Sequence, residues 1–160
     1  MMETFALRPA TVADLALMID HRRRMLIDMG APDGTGMAAM AERFGPWATA
    51  EMAGGRYFAW FMEGAAGEVA AGAAVWMKPQ QPGVRSAHGD VPYVLNVFCE
   101  PAFRRRGLAR GLLEHIVAWA RSRGYPVVEL HASDEGRPLY ASMGFLATNE
   151  MRLTLEAPAV

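Results

Sequence analysis

The sequence predicts an α/β (α+β) fold, a central mixed and mostly antiparallel sheet flanked by helices. Three observations carry this. Two apolar runs, 56–61 and 69–77, flank a Gly-rich turn and read as a β-hairpin. A later run–helix–run order, 93–99, 108–123 and 126–131, reads as a βαβ unit, whose right-handed crossover makes its two strands parallel. The chain has 160 residues, 52% of them hydrophobic, which suits one domain over 1–160 with a sizeable core.

The elements follow in order. Phe5 to Arg8 reads as a short strand. Thr11 then caps a helix, with Asp14 at the third position returning a bond to the cap. Val12, Leu15, Ile19, Leu26 and Met29 form its apolar stripe, which Arg22 and Arg23 interrupt, and Gly30-Ala31-Pro32 stops it. Residues 36–54 are helical by Met37, Met40, Phe44, Trp47 and Met52, and Gly45-Pro46 is expected to split them in two. Strands are expected at 56–61 and 69–77, a Pro- and Gly-rich loop at 79–92, and a third strand at 93–99 ended by Glu100-Pro101. Leu112, Leu113, Ile116 and Ala120 mark the buried face of the helix at 108–123, which Gly124 ends. A strand at 126–131, a short helix at 135–143 closed by Gly144, and a terminal strand or hairpin at 146–155 complete the order.

Composition removes several classes. Lys plus Arg is 16 against 17 acidic residues, a net charge of −1, so no nucleic-acid partner is expected. A single cysteine, Cys99, excludes an intrachain disulfide framework and a cysteine zinc site, and no metal is expected. The first 20 residues lack the order of a signal peptide, and the longest apolar stretch is far below the roughly 20 residues that cross a bilayer. No membrane partner is expected, and the cytoplasm is the simplest location.

All the Lys and Arg residues except Lys78 are arginine, and three adjoin at Arg104-Arg105-Arg106. The segment Arg104-Arg105-Arg106-Gly107-Leu108-Ala109-Arg110 links a strand to a helix start. A helix N-terminus presents free N–H groups and partial positive charge, which attract phosphate. Gly107 lets the backbone approach a phosphate, small Ala109 leaves room, and the arginines add forked donors. The segment lacks the Gly-Lys-Ser/Thr of a Walker loop and the triple glycine of a dinucleotide fingerprint.

It does fit Arg/Gln-x-x-Gly-x-Gly/Ala, and here the chain resembles the GNAT superfamily of N-acetyltransferases. The resemblance extends to Leu95-Asn96-Val97-Phe98-Cys99-Glu100-Pro101 before the loop. It also covers the run from Asp134 to Phe145, with its Leu139-Tyr140 step and Gly144-Phe145 close. It is specific over 91–147. It implies the GNAT fold, with two parallel strands that splay apart, and acetyl-CoA as co-substrate. Val97, Phe98 and Cys99 would meet the pantetheine arm. The backbone from Arg105 to Arg110, beside Arg104, would hold the pyrophosphate through Arg106, Gly107, Leu108 and Ala109. A backbone N–H near Cys99 would polarise the thioester carbonyl.

Tyr140 matches the family tyrosine that protonates the CoA sulfur; its alternative is a core aromatic. Ser133 matches a pantetheine-binding position and equally suits a helix N-cap. Leu95 stands where some members carry a glutamate base. The remaining base candidates are Glu129, His131, Asp90 and a water held by Asn96. The implied function is transfer of acetyl to a primary amine of a small molecule, amino acid or peptide in a ternary complex. A non-catalytic acyl-CoA sensor on the same fold is the alternative. Trp47, Tyr57, Trp60 and Trp76 are candidate walls for the acceptor, and Arg22, Asp28 and Glu51 candidate charge partners. The sequence leaves homodimerisation open.

Overall fold

The computed structural model describes residues 4–156. Strand β1 (Phe5–Pro9) leads through a 3₁₀ turn into helix α1 (Leu15–Asp28), followed by helix α2 (Thr35–Ala53). Strands β2 (Tyr57–Gly64), β3 (Val69–Pro79) and β4 (Asp90–Cys99) form a meander. Helix α3 (Leu108–Ser122), the two-residue strand β5 (Glu129–Leu130) and helix α4 (Arg137–Ser142) follow. The sheet runs β1-β2-β3-β4-β5; every pair is antiparallel except β4 with β5, as the crossover rule requires.

Period-two alternation divides the strands between two cores. Tyr57, Ala59 and Phe61 of β2 pack with Met18 of α1 and Phe44 and Ala48 of α2. Trp60 points the other way, to Leu112, Leu113 and Ile116 of α3. Central β3 is buried on both faces, and small residues from Ala70 to Ala74 bring the layers close. A Cβ on Gly72 would lie 2.8 Å from the Phe61 ring, so a side chain here forces its neighbours to shift.

Thr11 and Asp14 form the expected capping box, and Asp14 also binds the Arg8 guanidinium at 2.9 and 3.0 Å. Three expectations are corrected. Helix α2 continues through Gly45-Pro46 instead of splitting. Pro46 and Glu42, whose carbonyl loses its partner, both lie on the exposed side, so the lost bond falls where water reaches. Buried Gly45 lets Ile19 and Leu15 of α1 pack directly on the helix. The strand expected at 126–131 shrinks to Glu129–Leu130. No terminal strand forms among the described residues after 145; Met151 and Leu153 are exposed. Their alternation is that of a strand, but a strand needs a paired edge, and two-residue β5 offers almost none.

Candidate active site

The site begins with a flaw in β4. Leu95 pairs with Ala74 and Phe98 with Gly72, so Asn96 and Val97 together face Ala73 across a bulge. Asn96 takes φ 54°, a left-handed conformation that asparagine tolerates better than most residues. On its other side β4 pairs with β5 only through Tyr93–Glu129 and Val94–Leu130. Beyond Val94 the parallel strands part, and the backbone of 95–99 has no ladder on that side. The opening is a cleft of about 1030 Å³ lined by β4, α1, the 104–110 loop and the start of α4. An extended amide-bearing chain can complete this open edge as a strand would.

The loop closes one end of the cleft. Arg105 has φ 63° and Gly107 φ 81°, both left-handed, around the turn into α3. Left-handed residues beside right-handed ones turn successive N–H groups to one side, forming an anion nest. A Cβ on Gly107 would meet no protein atom within 4 Å, so the space beside it is open to a ligand. The loop is tied at its edges. Arg104 donates Nε to the Cys99 carbonyl at 3.0 Å and pairs Nη2 with Asp28 of α1 at 2.6 Å. Arg106 donates to the Ala102 carbonyl at 3.1 Å. Arg110 donates to Ser142 Oγ of α4 at 2.6 Å, joining the loop to the helix that carries Tyr140. The nest, the open glycine and the guanidinium charge fit a pyrophosphate.

Tyr140 lies in the same cleft, half-buried against Phe145, and burial pushes its phenol above its ordinary value. Gly136 sits against it; a Cβ there would approach the Tyr140 ring to 2.9 Å. Ser133 lines the cleft and accepts the Gly136 N–H at 3.1 Å within the turn before α4; the N-cap of α4 is Gly136, so Ser133 is not the helix cap the sequence allowed. Val97, Phe98, Cys99, Leu108 and Ala109 line the cleft too, although Phe98 is only 4% exposed. Burial pushes the Cys99 thiol up, which disfavours a thiolate nucleophile.

The base candidates separate. His131 lines the cleft, with Arg152 Nη2 3.1 Å from its Nε2. Glu129 does not: it pairs with Lys78 at 3.6 Å and lines a separate cavity of about 240 Å³ under the 80–89 loop. Asp90 accepts the Tyr125 hydroxyl at 2.8 Å in that cavity. Asn96 links α1 to β2, accepting from Arg22 at 2.7 Å and donating to Tyr57 Oη at 2.9 Å. The four aromatic wall candidates stand outside the cleft. Trp60 is core, while Trp47 packs edge-on to Tyr57 and Trp76. The sequence singles out Asn96 and Arg105 but not their left-handed backbone; the available signal was a polar Asn inside an apolar strand.

A splayed parallel pair, an anion nest at a helix start and a half-buried tyrosine in one cleft define the class of acyl-CoA-dependent transferases. The chain belongs to the acetyltransferase (GNAT) family, whose sequence pattern matches residues 25–145. The family takes acetyl-CoA as co-substrate. Among solved structures, the chain is similar to a GCN5-related N-acetyltransferase from Ralstonia eutropha. They share 33% identity and a TM-score of 0.86 over 94% of this chain and 98% of that one. A predicted acetyltransferase with acetyl-CoA from Clostridium acetobutylicum is 28% identical, with a TM-score of 0.86 over 95% and 97%. The glucosamine-6-phosphate N-acetyltransferase of Arabidopsis thaliana shares the fold, at 18% identity and TM-score 0.66 over 96% and 100%. No curated protein sequence matches the chain. No helix among the described residues is long and apolar enough to cross a membrane.

Proposed function

We propose that this protein is an N-acetyltransferase that moves acetyl from acetyl-CoA to a primary amine by direct transfer in a ternary complex. The observation that carries this reading is the convergence of Tyr140, the open edge of β4 and the 104–110 nest in one cleft. The backbone of Val97, Phe98 and Cys99 pairs the pantetheine arm. The N–H groups from Arg105 to Arg110 hold the pyrophosphate. A backbone N–H near Cys99 polarises the thioester carbonyl.

In the chemical step the amine nitrogen bonds to the carbonyl carbon, and the carbon–sulfur bond breaks. Tyr140 gives its hydroxyl proton to the leaving sulfur. The amine proton leaves to His131 or to a water held at Asn96, the two base candidates that share this cleft. The raised Cys99 thiol favours direct transfer over a cysteine-bound intermediate. The lone cysteine favours a reducing compartment such as the cytoplasm.

The test is release of free CoA thiol from acetyl-CoA in the presence of a panel of primary amines. Release with at least one amine is expected. Tight acetyl-CoA binding with no release for any amine would instead make the protein an acyl-CoA sensor.

A further inference from the structure

Three consecutive arginines stand on α1, and two have carboxylate partners. Arg23 pairs with Asp33, and Arg24 with Glu100 at 2.6 Å and Asp20 at 3.3 Å. Arg22 has none. No carboxylate lies within ion-pair distance of it among the described residues. Its one hydrogen bond runs from Nη1 to Asn96 Oδ1 at 2.7 Å, and its face covers the Phe44 ring at 5.4 Å. Its Nε is buried without a partner. Burial works against its charge, yet a guanidinium stays protonated in proteins. The fold therefore holds an uncompensated positive charge partly out of water, which is costly unless something supplies the opposite charge.

The two other candidate charge partners for the acceptor, Asp28 and Glu51, are already engaged. Asp28 binds Arg104 at 2.6 Å, and Glu51 binds Arg56 at 2.7 Å and Trp76 Nε1 at 2.9 Å. Arg22 lines the cleft beside Met25, Leu26 and Met29, an adaptable apolar wall. It stands six residues before Asp28, about 9 Å along the helix at 1.5 Å per residue, and so away from the point where Arg104 ties down the phosphate loop. Its orientation is set. Asn96 is fixed by its left-handed backbone and by Tyr57, whose buried phenol is pushed up to about 12 and keeps its proton. Such support around a charged group is how proteins preorganise a binding contact.

We propose that Arg22 is the anion anchor for the acceptor, so that the amine acetylated here also carries a carboxylate, as an α-amino acid does. The proposal rests on the transferase reading above. A carboxylate fits better than a phosphate. One guanidinium with one nitrogen already committed matches a single negative charge, whereas the phosphate-binding loop gathers four arginines.

The test compares matched pairs, the common L-α-amino acids and their α-amides, with O-phosphoethanolamine as the phosphate arm. Free CoA thiol is followed with wild type, Arg22→Gln and Arg22→Lys, and acetyl-CoA affinity is measured for each. Wild type is expected to use at least one acid about 10-fold or more better than its amide in kcat/KM. Arg22→Gln should remove that preference with acetyl-CoA affinity little changed, and Arg22→Lys, charged but without the fork, should restore part of it. Equal use of acids and amides by wild type overturns the proposal, as does a preference that survives in Arg22→Gln. Faster turnover of O-phosphoethanolamine than of any acid overturns the carboxylate assignment. If neutral amines react and acids do not, the proposal falls and the transferase reading stands. If no amine of any charge releases CoA while acetyl-CoA binds, the transferase reading fails and takes the proposal with it. Should Arg22→Gln not fold, the wild-type comparison of acid and amide decides alone.

Discussion

Tyr140 is a weak acid made weaker by burial, and that suits its proposed work. A raised phenol stays protonated at neutral pH, so the proton donor is present in every enzyme molecule. With an acceptor found in the amine panel, kcat should therefore show no loss of the acid until above the ordinary phenol value of 10.0. An alkaline limb centred well below that value would exclude Tyr140 as the donor. At this scale the sequence is informative wherever chemistry is written in residue type. Arg104 to Arg110, Ser133 and Tyr140 are identified in that way, and all line one cleft or its loop. Asn96 and Glu129 show the limit. The positive φ of Asn96 arises because Ala73 of β3 faces two residues of β4, a fact of pairing. Glu129 is drawn off by Lys78, fifty-one positions earlier in the chain, through the register of β3, β4 and β5.

Among the elements, the loop into α3 and the centre of β3 invite opposite perturbations. Gly107→Val adds a branched side chain at φ 81° and points it into open space on the cleft side. Acetyl-CoA affinity should fall about 10-fold or more, while α3, anchored by fully buried Leu112, Leu113 and Ile116, keeps the protein folded. Calorimetric titration of acetyl-CoA checks this, and unaltered affinity would move the phosphate site elsewhere. Gly72→Ala should leave the cofactor site in place and cost about 1–3 kcal/mol in urea unfolding, because the new methyl meets the Phe61 ring at 2.8 Å and His21 Nδ1 at 3.2 Å. An unchanged midpoint would mean that this layer has slack. Most elements were legible from periodicity and turn residues. The misjudged ones are those whose fate depends on surroundings. Pro46 survives inside α2 because it faces out, and the alternation at 146–155 forms no strand because no edge receives it.

At the scale of the whole molecule, helix α1 packs on the sheet around one buried imidazole. His21 is 2% exposed, lies between Phe61 and Phe98, and has Glu100 Oε1 3.5 Å from Nε2 without hydrogen-bond geometry. Desolvation outweighs the attraction of Glu100 and lowers the histidine below 6.5, so the fold holds it neutral. The unfolded chain takes a proton there as pH falls through 6.5 while the folded chain does not, so stability declines with acid from that point. The urea midpoint should fall between about pH 7.5 and about pH 5.5, and fall less in His21→Leu. The lowered carboxylates Asp14, Glu51 and Glu100 titrate below this window and add their loss only at lower pH. Identical slopes in both proteins would remove His21 from this role.

The β4 bulge, the 104–110 loop and α4 line one cleft, and the proposed function assigns acetyl transfer to it. The most direct measurement is CoA release by wild type and Tyr140→Phe with the best amine, alongside acetyl-CoA binding to each. The expected result is turnover about 100-fold or more lower in the variant with acetyl-CoA affinity within about 2-fold. Equal turnover by the two proteins would contradict it.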